Sequence, residues 1–312
     1  MTIAIGLLAG AVVIAVFGPL YLRPLLHPRV RPGIALAGWV ASPLAAIGAA
    51  IAGATLLLVP NNGSVDGVIG MAQSCVNVVH GHASAWEHLL RLGGAALVAG
   101  AVLHVLVTAA GLVRREAAQR HRHMTAVRLL SREDPESRVL WLEQATPVAY
   151  SIGGRRGAIV ATTGVRRLDA ETREAVLAHE RAHLSGRHHA LVLLMTALAQ
   201  ALPFVPLFRI APSTVRVLVE LAADAAAARH CGAGSVRAAL RAVTGDAAPA
   251  ASLAMSRESL QLRLHWLNNS APGSLHRTSY VATAVVSASP AVVAVGVVAC
   301  LVLLYCFGIS LL

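Results

Sequence analysis

"LAHERAHLSGRHHA", Leu177 to Ala190, packs four histidines and a glutamate into fourteen residues of a chain that is 56% hydrophobic. On a helix, residues four apart stand one above the other, so His179 and His183 project from one face about a turn apart. The intervening H-E-x-x-H spacing lets two neutral imidazoles share one Zn²⁺ at roughly 2.0–2.1 Å. Glu180 lies to the side of the pair, where a carboxylate can take a proton from water. The alternative reading is a charged patch on a surface helix, and only context separates the two.

A catalytic zinc needs a third protein ligand and an open position. Gly186 and His189 formally complete the longer pattern H-E-x-x-H-x-x-G-x-x-H. Glu220, with Asp224 one turn further on, offers a second solution in the alanine-rich run "ELAAD". Carboxylates on such a stretch are costly to bury unless they are paired or bound to metal. A glutamate would give a His₂Glu site, and Asp224 could then bond the far nitrogen of a ligand histidine. Residue spacing alone leaves both ligand sets open.

Mean hydropathy is +0.65 and only 13% of residues are charged, which indicates a membrane protein. Every one of the 26 basic residues is arginine. The absence of lysine excludes Schiff-base chemistry, Ser–Lys dyads and lysine-dependent phosphate loops. A net charge of +11 in such a chain reflects cytoplasmic arginine facing an anionic leaflet rather than direct nucleic-acid binding. Cys75, Cys231, Cys300 and Cys306 are scattered, without the spacing of a metal pair, and read as small buried residues.

Four apolar runs match the length of a bilayer crossing: Ile3 to Leu22, Ile34 to Val59, Leu92 to Val113 and Val281 to Phe307. The first lacks a basic leader and a small-residue cleavage site, so it reads as an uncleaved span. Arg23, Arg29 and Arg31 follow it, and "RREAAQRHRHMTAVR" follows the third. The loop between the second and third spans, 60–90, is free of arginine. The positive-inside rule therefore puts the N-terminus and the short C-terminus outside and residues 114–280 in the cytoplasm of a multi-pass plasma-membrane protein. This predicts a three-span region over 1–113, a cytoplasmic domain over 114–280 and a fourth span within 281–312. The fold class is mostly α, with an α+β domain inserted between spans three and four.

Within that domain "RVLWLEQ", "PVAYSI" and "AIVATTG" read as strands, and the last is expected to align substrate by edge pairing. Asp169 is a good N-cap for the helix carrying the histidines, which should end near Gly186. A second helix, "TVRVLVELAADAAAARH", closes at Cys231-Gly232, and "SRESLQLRLHWLNN" is amphipathic and packs on the domain or on lipid. Ala190 to Phe208 is long enough to span. A single crossing would separate Glu220 from His179, so a buried, interfacial or re-entrant helix broken at Pro203 and Pro206 is expected.

His80, His82 and His88 read as loop residues, though H-x-H suits a metal, and His104 as a neutral histidine packed inside span three. Gly48, Gly53, Gly93, Gly94 and Gly100 suit close helix packing.

H179-E-R-A-H183, the apolar segment with "ALPFVPLF" and E220-x-x-x-D224 together resemble the membrane-embedded gluzincin peptidases, in particular the peptidases of the BlaR/MecR antibiotic-sensor transducers. More distantly the chain resembles HtpX and the CAAX-type proteases. The resemblance covers nearly the whole chain. It implies three spans, a cytoplasmic zincin-like protease domain and a fourth span. It also implies Zn²⁺ held by His179, His183 and Glu220, with Glu180 as catalytic base and Asp224 behind a ligand histidine, leaving His189 a neighbour. Two features depart from it. The sensors continue into an external penicillin-binding domain, whereas here the sequence stops at Leu312. The acidic residue often found soon after the zinc motif is replaced by Gly186-Arg187-His188-His189.

The expected activity is peptide-bond hydrolysis at the cytoplasmic membrane face, with a protein or peptide substrate. By the resemblance, that substrate is a DNA-binding repressor or the protein itself. Membrane lipid is the other partner, and homo-oligomers are compatible with the sequence. Rival readings are a quality-control protease of HtpX type, which normally carries two spans between its metal motifs, and a non-catalytic zinc-binding receptor or scaffold, which would have no use for Glu180. Arg229, His230 and Arg237 follow the ligand helix as candidates for stabilising an oxyanion.

Overall fold

The computed structural model describes residues 2–28, 30–58, 85–134, 139–154, 157–244 and 253–269. Helices α1 (Thr2–Leu22) and α2 (Pro32–Leu58), joined by a short 3₁₀ turn (Arg23–Leu26), pack as an apolar hairpin. By length and composition both could cross a membrane, as the first two apolar runs predict. The third run lies inside α3 (Ala85–Leu130), a 46-residue helix that continues unbroken through the basic stretch. At 1.5 Å per residue it is about 70 Å long, so its C-terminal half projects far past its apolar part. The fourth run, and most of the 60–90 loop with His80 and His82, lie outside the described residues.

A four-stranded sheet follows: β1 (Arg132–Asp134), β2 (Val139–Leu142), β3 (Ala149–Ile152) and β4 (Ala158–Thr162), in the order β1-β2-β4-β3. β2 pairs parallel to β4, while β1 and β3 pair antiparallel to β2 and β4 respectively. Alternation sorts the side chains. Val139, Trp141, Ile159 and Ala161 face a core built with Ala175, Val176 and Ala178, whereas Leu140, Val160 and Ile152 face Val127 and Met124 of α3. The sheet is thus covered on both sides. β4, expected to offer an edge, is central: it is apolar on both faces and pairs with a strand on each side. The edge beside the site is β3.

After a single turn, α4 (Thr163–Arg166), come α5 (Ala170–Ser185), α6 (His188–Ala201), α7 (Pro206–Thr244) and α8 (Leu253–Asn269). Asp169 Oδ1 accepts from the Thr172 amide at 2.9 Å, capping α5 as its sequence predicts. α6 runs out at Leu202, and α7 restarts at Pro206, where a missing N–H costs nothing. The apolar segment from Ala190 is therefore an arm of a helical hairpin. Leu207, Phe208, Ala211, Val215 and Leu218 of α7 share one core with Ile14 and Leu22 of α1 and Trp39 of α2. α7 breaks at Gly232, whose φ of 84° belongs to the left-handed half of conformational space.

Candidate metal centre

α5 and α7 pack tightly, and their contact carries the site. His179 Nε2 and His183 Nε2 lie 3.0 Å apart. Glu220 reaches across from α7, with Oε2 3.5 Å from His179 Nε2 and Oε1 3.5 Å from His183 Nε2. Donors held at 2.0–2.1 Å around a tetrahedral ion stand about 3.3–3.4 Å apart. This triangle of two imidazole nitrogens 3.0 Å apart and one carboxylate, whose two oxygens each stand 3.5 Å from a different one of them, comes close to that spacing, and the donor types suit zinc chemically. His179, His183 and Glu220 form one of two groups among the described residues that could hold a metal ion.

Each histidine is gripped from behind. Asp224 Oδ1 stands 2.9 Å from His179 Nδ1, near enough for strong charge attraction, though off the line of a well-formed hydrogen bond. His188 Nδ1 lies 3.1 Å from His183 Nδ1. With one hydrogen shared between those nitrogens, the His183 Nε2 lone pair is left to face the triangle. The contact depends on the turn between α5 and α6. Arg187 adopts φ 50°, and a Cβ at Gly186 would fall on the His188 ring. Gly186 thus serves His188, not the longer histidine pattern. His189 points elsewhere: its Nε2 meets Ser151 Oγ at 3.1 Å, and its ring lies where a Cβ on Gly153 would be.

The charges divide sharply. Burial alone would lower His179, but the carboxylates of Asp224 and Glu220 overcome it and raise its pKa to about 9. His183, buried and beside the cationic His179, is lowered to about 4 despite the pull of Glu220. Burial raises the Glu180 carboxyl, tempered by His179 and by a hydrogen bond from Ser151. Burial also opposes ionisation of Glu220 and Asp224, yet His179 and Arg263 hold both below the usual carboxylate range.

Arg263 comes from α8, 84 residues from His179. Its Nε and Nη2 donate to Asp224 Oδ2 and Oδ1, both at 2.6 Å, and Nη1 lies 3.3 Å from Glu220 Oε2. The residues considered for oxyanion stabilisation stand elsewhere. His230 and Arg229 are exposed, and Arg237 donates to Asn268 Oδ1. His188, Ser151 and Arg263 were not anticipated from sequence.

The triangle opens into a cleft of about 640 Å³ walled by β3, α5, α6, α7 and the projecting part of α3. Glu116, Arg120 and His123 of α3 line it, and His123 Nε2 meets the Tyr150 hydroxyl at 3.0 Å, tying that wall to the edge strand. A second recess of about 200 Å³ adjoins Glu180, lined by Glu220, Asp224 and Arg263 and by apolar residues such as Val236 and Leu240.

A donor triangle with a buried carboxylate beside it, at the wall of a cleft edged by a strand, is the layout of a metallopeptidase. The family model described as BlaR1 peptidase M56 matches residues 1–233, and the chain belongs to that family. It is accordingly a membrane-associated metallopeptidase of a family of zinc enzymes. No curated protein and no solved structure shows a significant match. The matched region includes His179, Glu180, His183, Glu220 and Asp224 but ends before Arg263.

Proposed function

We propose that the protein is an integral-membrane zinc endopeptidase, with His179, His183 and Glu220 as metal ligands, Glu180 as general base and Asp224 orienting His179. The observation that carries this reading is the triangle of donor atoms with Glu180 beside it on the cleft wall. Zinc supplies Lewis acidity, which polarises a peptide carbonyl and acidifies a water. Glu180, whose burial raises its carboxyl above the usual range, accepts a proton and passes it to the leaving amine. Ser151 holds the Glu180 carboxylate from the edge strand. The outer edge of β3 pairs with an extended substrate backbone and lays its scissile bond across the cleft. Arg263, whose Nη2 stands 3.5 Å from His179 Nε2, places a fixed positive charge beside the reacting carbonyl.

The arginine distribution supports a cytoplasmic position for this domain, and the family supports a signalling role in which the substrate is a DNA-binding repressor or the chain itself. The test compares wild type with Glu180→Gln, Glu220→Ala and His189→Ala for bound zinc and for cleavage of a generic unfolded protein and of candidate repressors. Glu180→Gln should keep zinc and lose cleavage, Glu220→Ala should lose the zinc on which cleavage depends, and His189→Ala should keep it. Unchanged cleavage by Glu180→Gln, or zinc loss in His189→Ala with retention in Glu220→Ala, would overturn the assignment.

A further inference from the structure

Glu174, His230 and Cys231 form a second cluster on the same two helices, with a carboxylate oxygen, an imidazole nitrogen and a thiol sulfur all within 4.8 Å of one another. Glu174 precedes His179 by five residues on α5, about one and a half turns. His230 and Cys231 follow Glu220 by ten and eleven on α7. Because the helices run antiparallel here, the same contact that joins Glu220 to His179 joins Cys231 to Glu174 further along. Consecutive helical residues point about 100° apart and rarely serve one ligand. His230 and Cys231 lie in the last turn before the break at Gly232, and both still reach Glu174.

From this we infer a second metal site, distinct from the catalytic triangle, that takes a thiophilic divalent cation, with zinc or cobalt the natural occupants. The donor set argues for that class. Thiolate with imidazole and one carboxylate suits borderline-soft ions and is a poor host for calcium or magnesium. The position is accessible: His230 is exposed, and Cys231 is partly so. Arg181 donates to Glu174 Oε1 at 2.5 Å. It fixes the carboxylate while its own charge weakens cation binding, so removing Arg181 should tighten the site. An ion here would clamp α5 to the end of α7 at the kink, locking the two helices that carry the catalytic donors.

The experiment uses the full chain in detergent, titrated with Co²⁺ and Zn²⁺. Wild type should take up two ions per chain and show a thiolate-to-cobalt charge-transfer band. Cys231→Ser should bind one ion without the band and keep its zinc-dependent cleavage. His179→Ala/His183→Ala should also bind one ion but keep the band. Arg181→Ala should bind the second ion more tightly. A Cys75→Ser/Cys300→Ser/Cys306→Ser variant should retain the band, which separates Cys231 from the other thiols. A wild-type chain that shows no such band, or a band that survives Cys231→Ser, would overturn the assignment. Neither result depends on whether the triangle is catalytic.

Discussion

Replacing Arg263 by Met keeps an unbranched apolar stem and removes the guanidinium with its charge. Asp224 is then left with no partner but His179, since two 2.6 Å bonds vanish from a carboxylate whose side chain is only 3% exposed. Breaking a buried pair from one side costs about 3–5 kcal/mol. The burial that already opposes ionisation of Asp224 is then offset by His179 alone, and the loss should lie near the lower figure of about 3 kcal/mol. At about 2–4 °C per kcal/mol for a domain of this size, the melting temperature should fall by roughly 6–12 °C. With that anchor gone, Asp224 also holds His179 less firmly, so zinc should bind about 10–100-fold more weakly. Competitive chelator titration and thermal melts on the detergent-solubilised chain read the two effects. Combining Arg263→Met with Asp224→Asn should cost about 0.5–3 kcal/mol less than the sum of the single changes. If Arg263→Met leaves melting and zinc affinity where they were, or if the two changes add, the clamp is not what holds the histidine.

Two further outcomes follow from the same geometry. His179 is raised to about 9, so in the metal-free chain its proton stabilises the fold fully below about pH 6.5, and that contribution is lost as pH rises through about 9. Zinc must displace that proton, so its apparent affinity should change in the opposite sense, falling about tenfold per unit below pH 9. Near pH 7, calorimetry in buffers of different ionisation enthalpy should find about one proton released. His188→Leu frees His183 Nδ1 and should weaken zinc about tenfold while leaving the melting temperature of the metal-free chain within a few degrees. Full zinc affinity in that variant would show that His188 is only a neighbour.

What was legible in the sequence is what a helix repeats locally. The four-residue spacings of His179 with His183 and of Glu220 with Asp224, and the Asp169 cap, follow from one helical period each. The long-range partners carry no such periodicity. His188 reaches His183 only because Arg187 takes a left-handed conformation beside a glycine, and Ser151 matters only because β3 is an edge. Arg263 arrives from an amphipathic helix whose sequence says that it packs but not on what. The edge was recoverable: Ile159, Val160 and Ala161 form an unbroken apolar run, the mark of a strand covered on both faces, whereas β3 is only half-buried at its start. β1, "RED", has no apolar alternation and is invisible before β2 is there to pair with it.

The hairpin of α6 and α7 makes the N-terminal helices part of the metal centre. Leu207, Ala211, Val215 and Leu218 recur at helical spacing and share a core with α1 and α2, and the same rigid helix delivers Glu220 thirteen residues, or about 20 Å, beyond Leu207. A shift at its start must therefore be absorbed along it or passed to the ligand. Gly18 tests this directly, because a Cβ there would stand 2.9 Å from Leu207 Cδ1. Gly18→Leu must displace the Leu207 side chain, which is fully buried in the shared core and has to repack there, whereas Gly48 has nothing within 4 Å of an added Cβ. Overpacking of this kind costs about 1–3 kcal/mol. Gly18→Leu should therefore weaken zinc binding and slow cleavage, Gly18→Ala should do so less, and Gly48→Leu should do neither. Should both leucine variants behave alike, the loss would belong to the apolar hairpin of α1 and α2 in general, and the mechanical link from α1 to Glu220 would be refuted.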